Sequence, residues 1–335
     1  MKSFFNWLWK AAAAGIAALL LLCLWCSFYY NVPVHYTNET GATEYKWESN
    51  KFYRKGTEGF AFGRINNDGF NNLLDYEPGD KIDILLMGSS HMEGMNTAQE
   101  DNAAAVLNRL FAGEKYTYNI GTSGHTMIYC LKHLEKALDA YAPEGWVVIE
   151  TRTLSFSAEE TAALAEGRVP DIPSRSGGII GLLQKLPYLR LMYTKYFSDS
   201  AGGDDAAEAA APARQTSDSG ELSRLMEQVL HSAAETCRAR GVEMMLVYDP
   251  TVQVDAEGRG YTTTDEGDLA MFRELCSREG IAFVDLTDSY LAGYELQHRL
   301  PYGSANTSPG SGHMNSWGHL LFAQAVYDRI RDTEG

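Results

Sequence analysis

Two short glycine-flanked segments hold the residues of this chain best suited to chemistry. Gly88-Ser89-Ser90-His91-Met92-Glu93-Gly94 directly follows the apolar run Ile82–Met87, and Ser308-Pro309-Gly310-Ser311-Gly312-His313-Met314-Asn315 opens the last amphipathic stretch. A serine hydroxyl is a weak nucleophile until a base takes its proton, and imidazole is the side chain suited to that task near neutral pH. Ser90 and His313 would therefore make a nucleophile–base pair if their segments meet, and such a pair performs acyl transfer. A third segment, Asn119-Ile120-Gly121-Thr122-Ser123-Gly124-His125-Thr126, contains glycines whose backbone N–H groups can approach a developing oxyanion closely. Plainer readings exist: Ser90 as a turn residue or helix N-cap, His313 as a helix-start side chain. The shared position of the segments, each after a strand-like run, favours the chemical reading.

Other reactive side chains point less clearly to a task. His91 and His125 lie in the same segments and read as pocket-lining residues. With His313 and His319 they offer imidazoles, but no His-x-x-x-His or carboxylate spacing accompanies them, so no metal is expected. Glu93 reads as a solvated charge at a helix start. Tyr290, Tyr294 and Tyr302 fit core packing as well as stacking on a sugar. Cys130, Cys237 and Cys276 fall at or near apolar helical stripes without metal or disulfide spacing, and read as buried free thiols.

The elements that must position these segments are legible from periodicity. Apolar runs at 82–87, 115–120, 146–149, 242–248 and 281–285 predict five strands. Between them lie helical stripes: Ala103, Val106, Leu107, Leu110 and Phe111, stopped by Gly113; Ile128, Leu131, Leu134 and Leu138; Leu222 to Ala233, ending near Gly241; and Leu269, Phe272 and Cys276, stopped by Gly280. A closing helix carries Phe322, Val326 and Ile330. Strands alternating with helices imply a parallel sheet covered on both faces, and right-handed crossovers make it a doubly wound, flavodoxin-like three-layer α/β/α sandwich. Ligands of such sheets bind at the carboxyl ends of the strands, where all three segments fall. The stretch from about 198 to 220 is poor in bulky apolar residues and reads as a flexible insertion.

In order and spacing these blocks resemble the SGNH/GDSL hydrolase family, over about residues 80 to 335. Gly88-Ser89-Ser90 with Gly94 is similar to the family's first block, Gly-Asp-Ser with a trailing Gly, with Ser89 in place of the Asp and Ser90 at the nucleophile position. Asn119 to Thr126 resembles the second block, whose glycine donates an oxyanion N–H; Gly124 matches best and Gly121 is the fallback. His313, with Asn315 and Gly318-His319 after it, resembles the last block, which supplies the base. The resemblance implies a serine esterase needing no cofactor, with the N–H groups of Ser90 and Gly124 as oxyanion donors. Two departures stand out. Where the third block has an asparagine, this chain has Glu150-Thr151-Arg152-Thr153, leaving Thr151, Arg152 or Thr153 as substitutes. Where the last block has Asp three residues before His, this chain has Gly310, so His313 is left to a backbone carbonyl or to an aspartate of another loop, Asp249 or Asp285. A Ser–His dyad or a triad follows. An O-acyltransferase of the same fold and a catalytically silent envelope-binding protein are the alternatives.

The N-terminus suggests where this domain works. Residues 11–29 are uncharged and mostly apolar, long enough at about 1.5 Å per residue to cross a hydrocarbon layer of roughly 30 Å, and Trp7, Trp9, Trp25, Phe28, Tyr29 and Tyr30 flank them as an aromatic belt. Lys2 and Lys10 precede the run, and no Lys or Arg occurs between Asn31 and Tyr45, which predicts a cytoplasmic N-terminus and an exported remainder. The bulky Ser27-Phe28-Tyr29-Tyr30 argues against signal cleavage. The expected organisation is a cytoplasmic start (1–10), a transmembrane anchor (11–30), a juxtamembrane segment (31–79) and the hydrolase-like domain (80–335). A formal net charge of −16, with no cluster of Lys and Arg, argues against a nucleic-acid partner. An exported, tethered domain of this kind implies an acylated glycan or small ester, such as an O-acetylated cell-envelope carbohydrate, as substrate.

Overall fold

The computed structural model describes residues 2–172, 188, 191–192, 219–308 and 310–335. The chain begins with helix α1 (Lys2–Tyr29), whose 28 residues extend about 42 Å. It starts nine residues before the uncharged run, taking in Lys2 to Lys10. Its side chains are almost all exposed, and among the described residues it is the one helix long and apolar enough to cross a membrane. Such a helix is a candidate membrane anchor or signal sequence.

Two small hairpins follow, β1 (His35–Thr37) with β2 (Tyr45–Trp47), and β3 (Phe52–Lys55) with β4 (Ala61–Arg64). The main sheet is built from β5 (Ile84–Met87), β6 (Thr117–Asn119), β7 (Trp146–Thr151), β8 (Glu243–Tyr248) and, after a third hairpin of β9 (Val252–Val254) and β10 (Gly260–Thr262), β11 (Ala282–Asp285). All neighbours in it are parallel, in the order β11-β8-β7-β5-β6. Counting only its own strands, this is the order 2-1-3-4-5 of a doubly wound sheet, as expected from the alternation of runs. The order reverses between β5 and β7, and a crevice opens above the carboxyl ends of strands at such a reversal.

Successive residues of each strand face opposite layers. Leu85, Met87, Val147, Ile149, Met244 and Leu246 pack with α4 (Met127–Tyr141), α6 (Ser219–Arg238) and α7 (Glu266–Glu279). Ile84, Leu86, Trp146, Val148, Met245 and Val247 pack with α3 (Ala103–Leu110), α8 (Thr287–Gln297) and α9 (Ser316–Glu334). Because both faces are covered, the strands are apolar almost throughout, which made them readable. The short helices α2 (Ser90–Glu93) and α5 (Ala158–Ala165) and a 3-10 turn at Gln99–Asp101 complete the described elements. Cys130, Cys237 and Cys276 are buried thiols. The insertion expected at about 198–220 lies outside the described residues up to 218; Ser219 and Gly220 already belong to α6.

Residues 31–79 do more than lead from α1 to the sheet. Ala42 and Phe70 are part of the larger core cluster, and Tyr30, Val32, Trp47, Tyr53, Ile65 and Met95 form a smaller one. Polar side chains of the segment bind the elements of the sheet. Asp68 accepts the hydroxyls of Tyr118 (3.0 Å) and Tyr141 (2.7 Å), and Asn72 exchanges two hydrogen bonds with the backbone of Asn119. The segment thus packs closely against the α/β unit.

Candidate active site

The loop after β5 is shaped by contacts that single out one serine. Gly88 leaves no room for a side chain: a Cβ there would come within 2.5 Å of Met92 and 2.6 Å of the Glu150 carboxylate. The Ser89 N–H donates to Glu150 Oε2 (2.9 Å), its hydroxyl lies 3.4 Å from Glu150 Oε1, and it caps α2 by accepting the His91 N–H (3.2 Å). Ser89 is therefore the structural serine. Ser90, the first residue of α2, is buried, and its hydroxyl has no hydrogen-bond partner among the described residues, His313 included. Burying an unpaired hydroxyl costs about 1–3 kcal/mol, a cost that natural proteins retain mainly where the group has work to do.

His313 is held by a carboxylate, but by neither aspartate considered from sequence. Glu58, in the loop between β3 and β4, places Oε2 2.5 Å from His313 Nδ1, while its Oε1 accepts the His313 backbone N–H. Gly312 (φ +97°) makes this possible, since a Cβ there would collide with the Glu58 carboxylate. Burial alone would raise the Glu58 pKa, but the hydrogen bonds and charge of His313 outweigh it and hold the carboxyl below its ordinary value. Nδ1 is thus the nitrogen that faces the carboxylate.

Asp249 and Asp285 serve elsewhere. Asp249, fully buried at the end of β8, accepts hydroxyls from Tyr290 (2.8 Å) and Tyr302 and lies 3.1 Å from His91 Nδ1. Its attachment to His91 leaves it no role on His313. Asp285 is bonded to Arg273 (2.6 Å) and to the Thr287 N–H (3.0 Å) at the start of α8, where it acts as a helix-start residue. Tyr290 and Tyr302 are thus buried struts for Asp249 rather than sugar-stacking platforms.

His91 is itself fully buried, with its ring centroid 5.7 Å from that of His313, so the first and last segments do converge at one rim of the sheet. Burial, helped by the charges of Arg152 and His313, pushes the His91 pKa well below its usual value and keeps the ring neutral. Burial raises that of Asp249 despite nearby Arg152 and the tyrosine hydroxyls. His91, Glu150 and Asp249 bring ligand-type atoms within 4.8 Å of one another, but Glu150 already holds the Ser89 N–H and Asp249 holds His91 and two tyrosines.

The donors expected for an oxyanion are sorted by their present partners. The Gly121 N–H is committed to Asn119 Oδ1 (2.8 Å). The Thr151 hydroxyl donates to Thr153 O (2.7 Å), the Thr153 hydroxyl lies 3.3 Å from Ser155 O, and Thr151 is in the β7–β8 ladder, so both hydroxyls are engaged within their own loop. Arg152 reaches the site instead: its guanidinium lies 5.0 Å from the Tyr302 ring centroid and donates to the Thr251 hydroxyl (2.9 Å). Gly124 has only Ile172, at 3.8 Å, near the position of a Cβ. Glu93 is a correction: it is buried, accepting Trp47 Nε1–H (2.7 Å) and the Ser123 hydroxyl, because residues 31–79 cover what the sequence left open to solvent. A cavity of about 760 Å³ runs beside Gly59, Phe60, Tyr302, Gly303 and Asn315, against the loops that carry Glu58 and His313.

No protein-family profile and no curated protein matches the chain. Among solved structures it is similar to an acetyl xylan esterase, at 13% identity over 74% of this chain and 98% of that one, with a TM-score of 0.40. An esterase from a Pseudoalteromonas species (14% identity, 75% and 98% covered, TM-score 0.38) and a GDSL-like lipase from Bacteroides thetaiotaomicron (13%, 75% and 88%, TM-score 0.37) are similar in the same way. At TM-scores this low, such similarity identifies neither chemistry nor substrate.

Proposed function

We propose that the chain is a serine ester hydrolase of the SGNH/GDSL kind, tethered by α1 and acting outside the cytoplasm, in which Ser90, His313 and Glu58 form a triad. The observation that carries this reading is the His313–Glu58 pair. A carboxylate fixed on imidazole Nδ1, beside a loop whose serine hydroxyl is buried and unbonded, is the arrangement a nucleophile–base system requires. His313 Nε2 takes the Ser90 proton as Oγ attacks the ester carbonyl, Glu58 steadies the imidazolium, and the proton passes to the leaving alcohol; water then releases the acyl group. Hydrogen bonds of such sites are often long before substrate binds, and here a shift of the covering loops must admit the ester and bring Oγ to Nε2. The N–H groups of Ser90 and Gly124 receive the oxyanion, with the Arg152 guanidinium supplying the N–H donor that the family takes from its asparagine. The Lys2 and Lys10 flank and the base-free stretch from Asn31 to Tyr45 support a cytoplasmic N-terminus, and an exported domain suits an acylated envelope glycan, with water or a glycan hydroxyl as acceptor.

One observation favours a second reading, an envelope-binding protein without catalysis: the Ser90 hydroxyl is covered and not bonded to His313. Hydrolysis of short p-nitrophenyl acyl esters by detergent-solubilised full-length protein separates the two. Turnover abolished by Ser90→Ala supports the hydrolase; no turnover by the wild-type chain supports the binder.

A further inference from the structure

We propose that Glu44, His125 and His133, none of them a member of the Ser90–His313–Glu58 triad, form a binding site for a zinc-like divalent transition-metal ion. Glu44 directly precedes β2, His125 closes the loop after β6, and His133 stands in the middle of α4, so the three come from separate parts of the chain. Their ligand-type atoms lie within 4.8 Å of one another. A tetrahedral shell at about 2.0–2.2 Å sets its ligand atoms about 3.3–3.6 Å apart, so side-chain rotation suffices to close the site. Two imidazoles and a carboxylate, with water as the fourth ligand, is a donor set that suits zinc.

Three features point to a cation at this place. First, His133 Nδ1 lies 2.9 Å from Gly41 O, a bond that only an N–H can make, and this directs Nε2 toward Glu44. An outer hydrogen bond to a backbone carbonyl is the usual support of a metal-bound histidine. Second, Nε2 then sits 3.0 Å from Glu44 Oε1. The two ligand-type atoms thus face each other across the place the ion would take. Third, His125 is buried with its Nε2 unpartnered, its ring parallel to that of His133 with centroids 5.7 Å apart. Lys132 Nζ, 2.9 Å from Glu44 Oε1, is the competing cation; it also holds Asp171 (2.6 Å) and Pro170 O (3.2 Å), which keep it in place when Glu44 turns to the metal.

The test uses full-length protein in detergent, stripped with a chelator and dialysed against Zn²⁺ alone, with Co²⁺ as a spectroscopic stand-in. The expected result is one Zn²⁺ per chain at micromolar free metal, a visible Co²⁺ band of tetrahedral intensity, and a rise in Tm with metal. His133→Ala should abolish all three. Glu44→Gln, which keeps size and hydrogen bonding, should weaken binding at least about tenfold, and it keeps the test valid if His133→Ala does not fold. Absence of stoichiometric binding by the wild-type chain, or equal binding by Glu44→Gln, overturns the proposal.

Discussion

Replacing Glu58 by Gln tests the triad at the member that the sequence hid. The substitution keeps the size of the side chain and an oxygen for the His313 backbone N–H, but removes the charge 2.5 Å from Nδ1. In the ground state it removes little. When His313 becomes an imidazolium in the transition state, the lost attraction between charges about 4 Å apart, at an effective dielectric constant of about 20, is about 4 kcal/mol. At about 1.4 kcal/mol per decade, kcat should fall roughly a thousandfold while KM stays nearly constant, because the interaction exists only as charge develops. Steady-state hydrolysis of a short acyl ester measures both constants, and Glu58→Asp should recover part of the loss. A Glu58→Gln enzyme with kcat within about threefold of wild type would refute this reasoning, and would reduce the carboxylate to a strut that holds residues 31–79 to the last loop.

Gly312→Ala should reproduce the Glu58→Gln defect by pushing the carboxylate away, with a stability loss of about 1–3 kcal/mol from the left-handed backbone; the double variant should be no slower than either single one. Arg152→Met should lower kcat by about a hundredfold or more in the same assay, whereas Thr151→Val should leave it within about threefold. Stability should fall with acidification. Burial holds His125 to about 3 and His319 to about 4, so between those values and about 6.5 the unfolded chain binds more protons than the folded one. Stability is then full above pH about 6.5 and declines below it, by about 2 kcal/mol for each histidine at pH 5, which melts of chelator-treated protein at pH 7.5 and pH 5 will show as a lower Tm.

The parts of the molecule that sequence disclosed are those governed by local pattern. Val147, Val148 and Ile149 announce a strand because a parallel strand covered on both faces is apolar at every position. Gly280 ends α7 where the stripe ends, in the left-handed conformation that favours glycine. The three hairpins escaped notice because strands of three or four residues carry no measurable alternation. Glu58 escaped for another reason: it reaches His313 across 255 positions from a stretch whose polar and aromatic residues show no periodicity. A missing Asp in the last block was the available signal that some distant carboxylate must fill its place, and topology puts only the strand-end aspartates legibly at the rim. Asp249 was at the rim but belonged to His91 and two tyrosines, which only side-chain packing decides. Glu44 and His133 were invisible in the same way, since their partners lie in other elements.

Fluorophosphonate labelling of the full-length protein, followed by peptide mapping, tests the nucleophile directly. The account predicts a single adduct on Ser90, absent in Ser90→Ala, retained in Ser89→Ala if that variant folds, and formed far more slowly in His313→Ala. A wild-type chain that takes up no label, or a label that persists in Ser90→Ala, would contradict it.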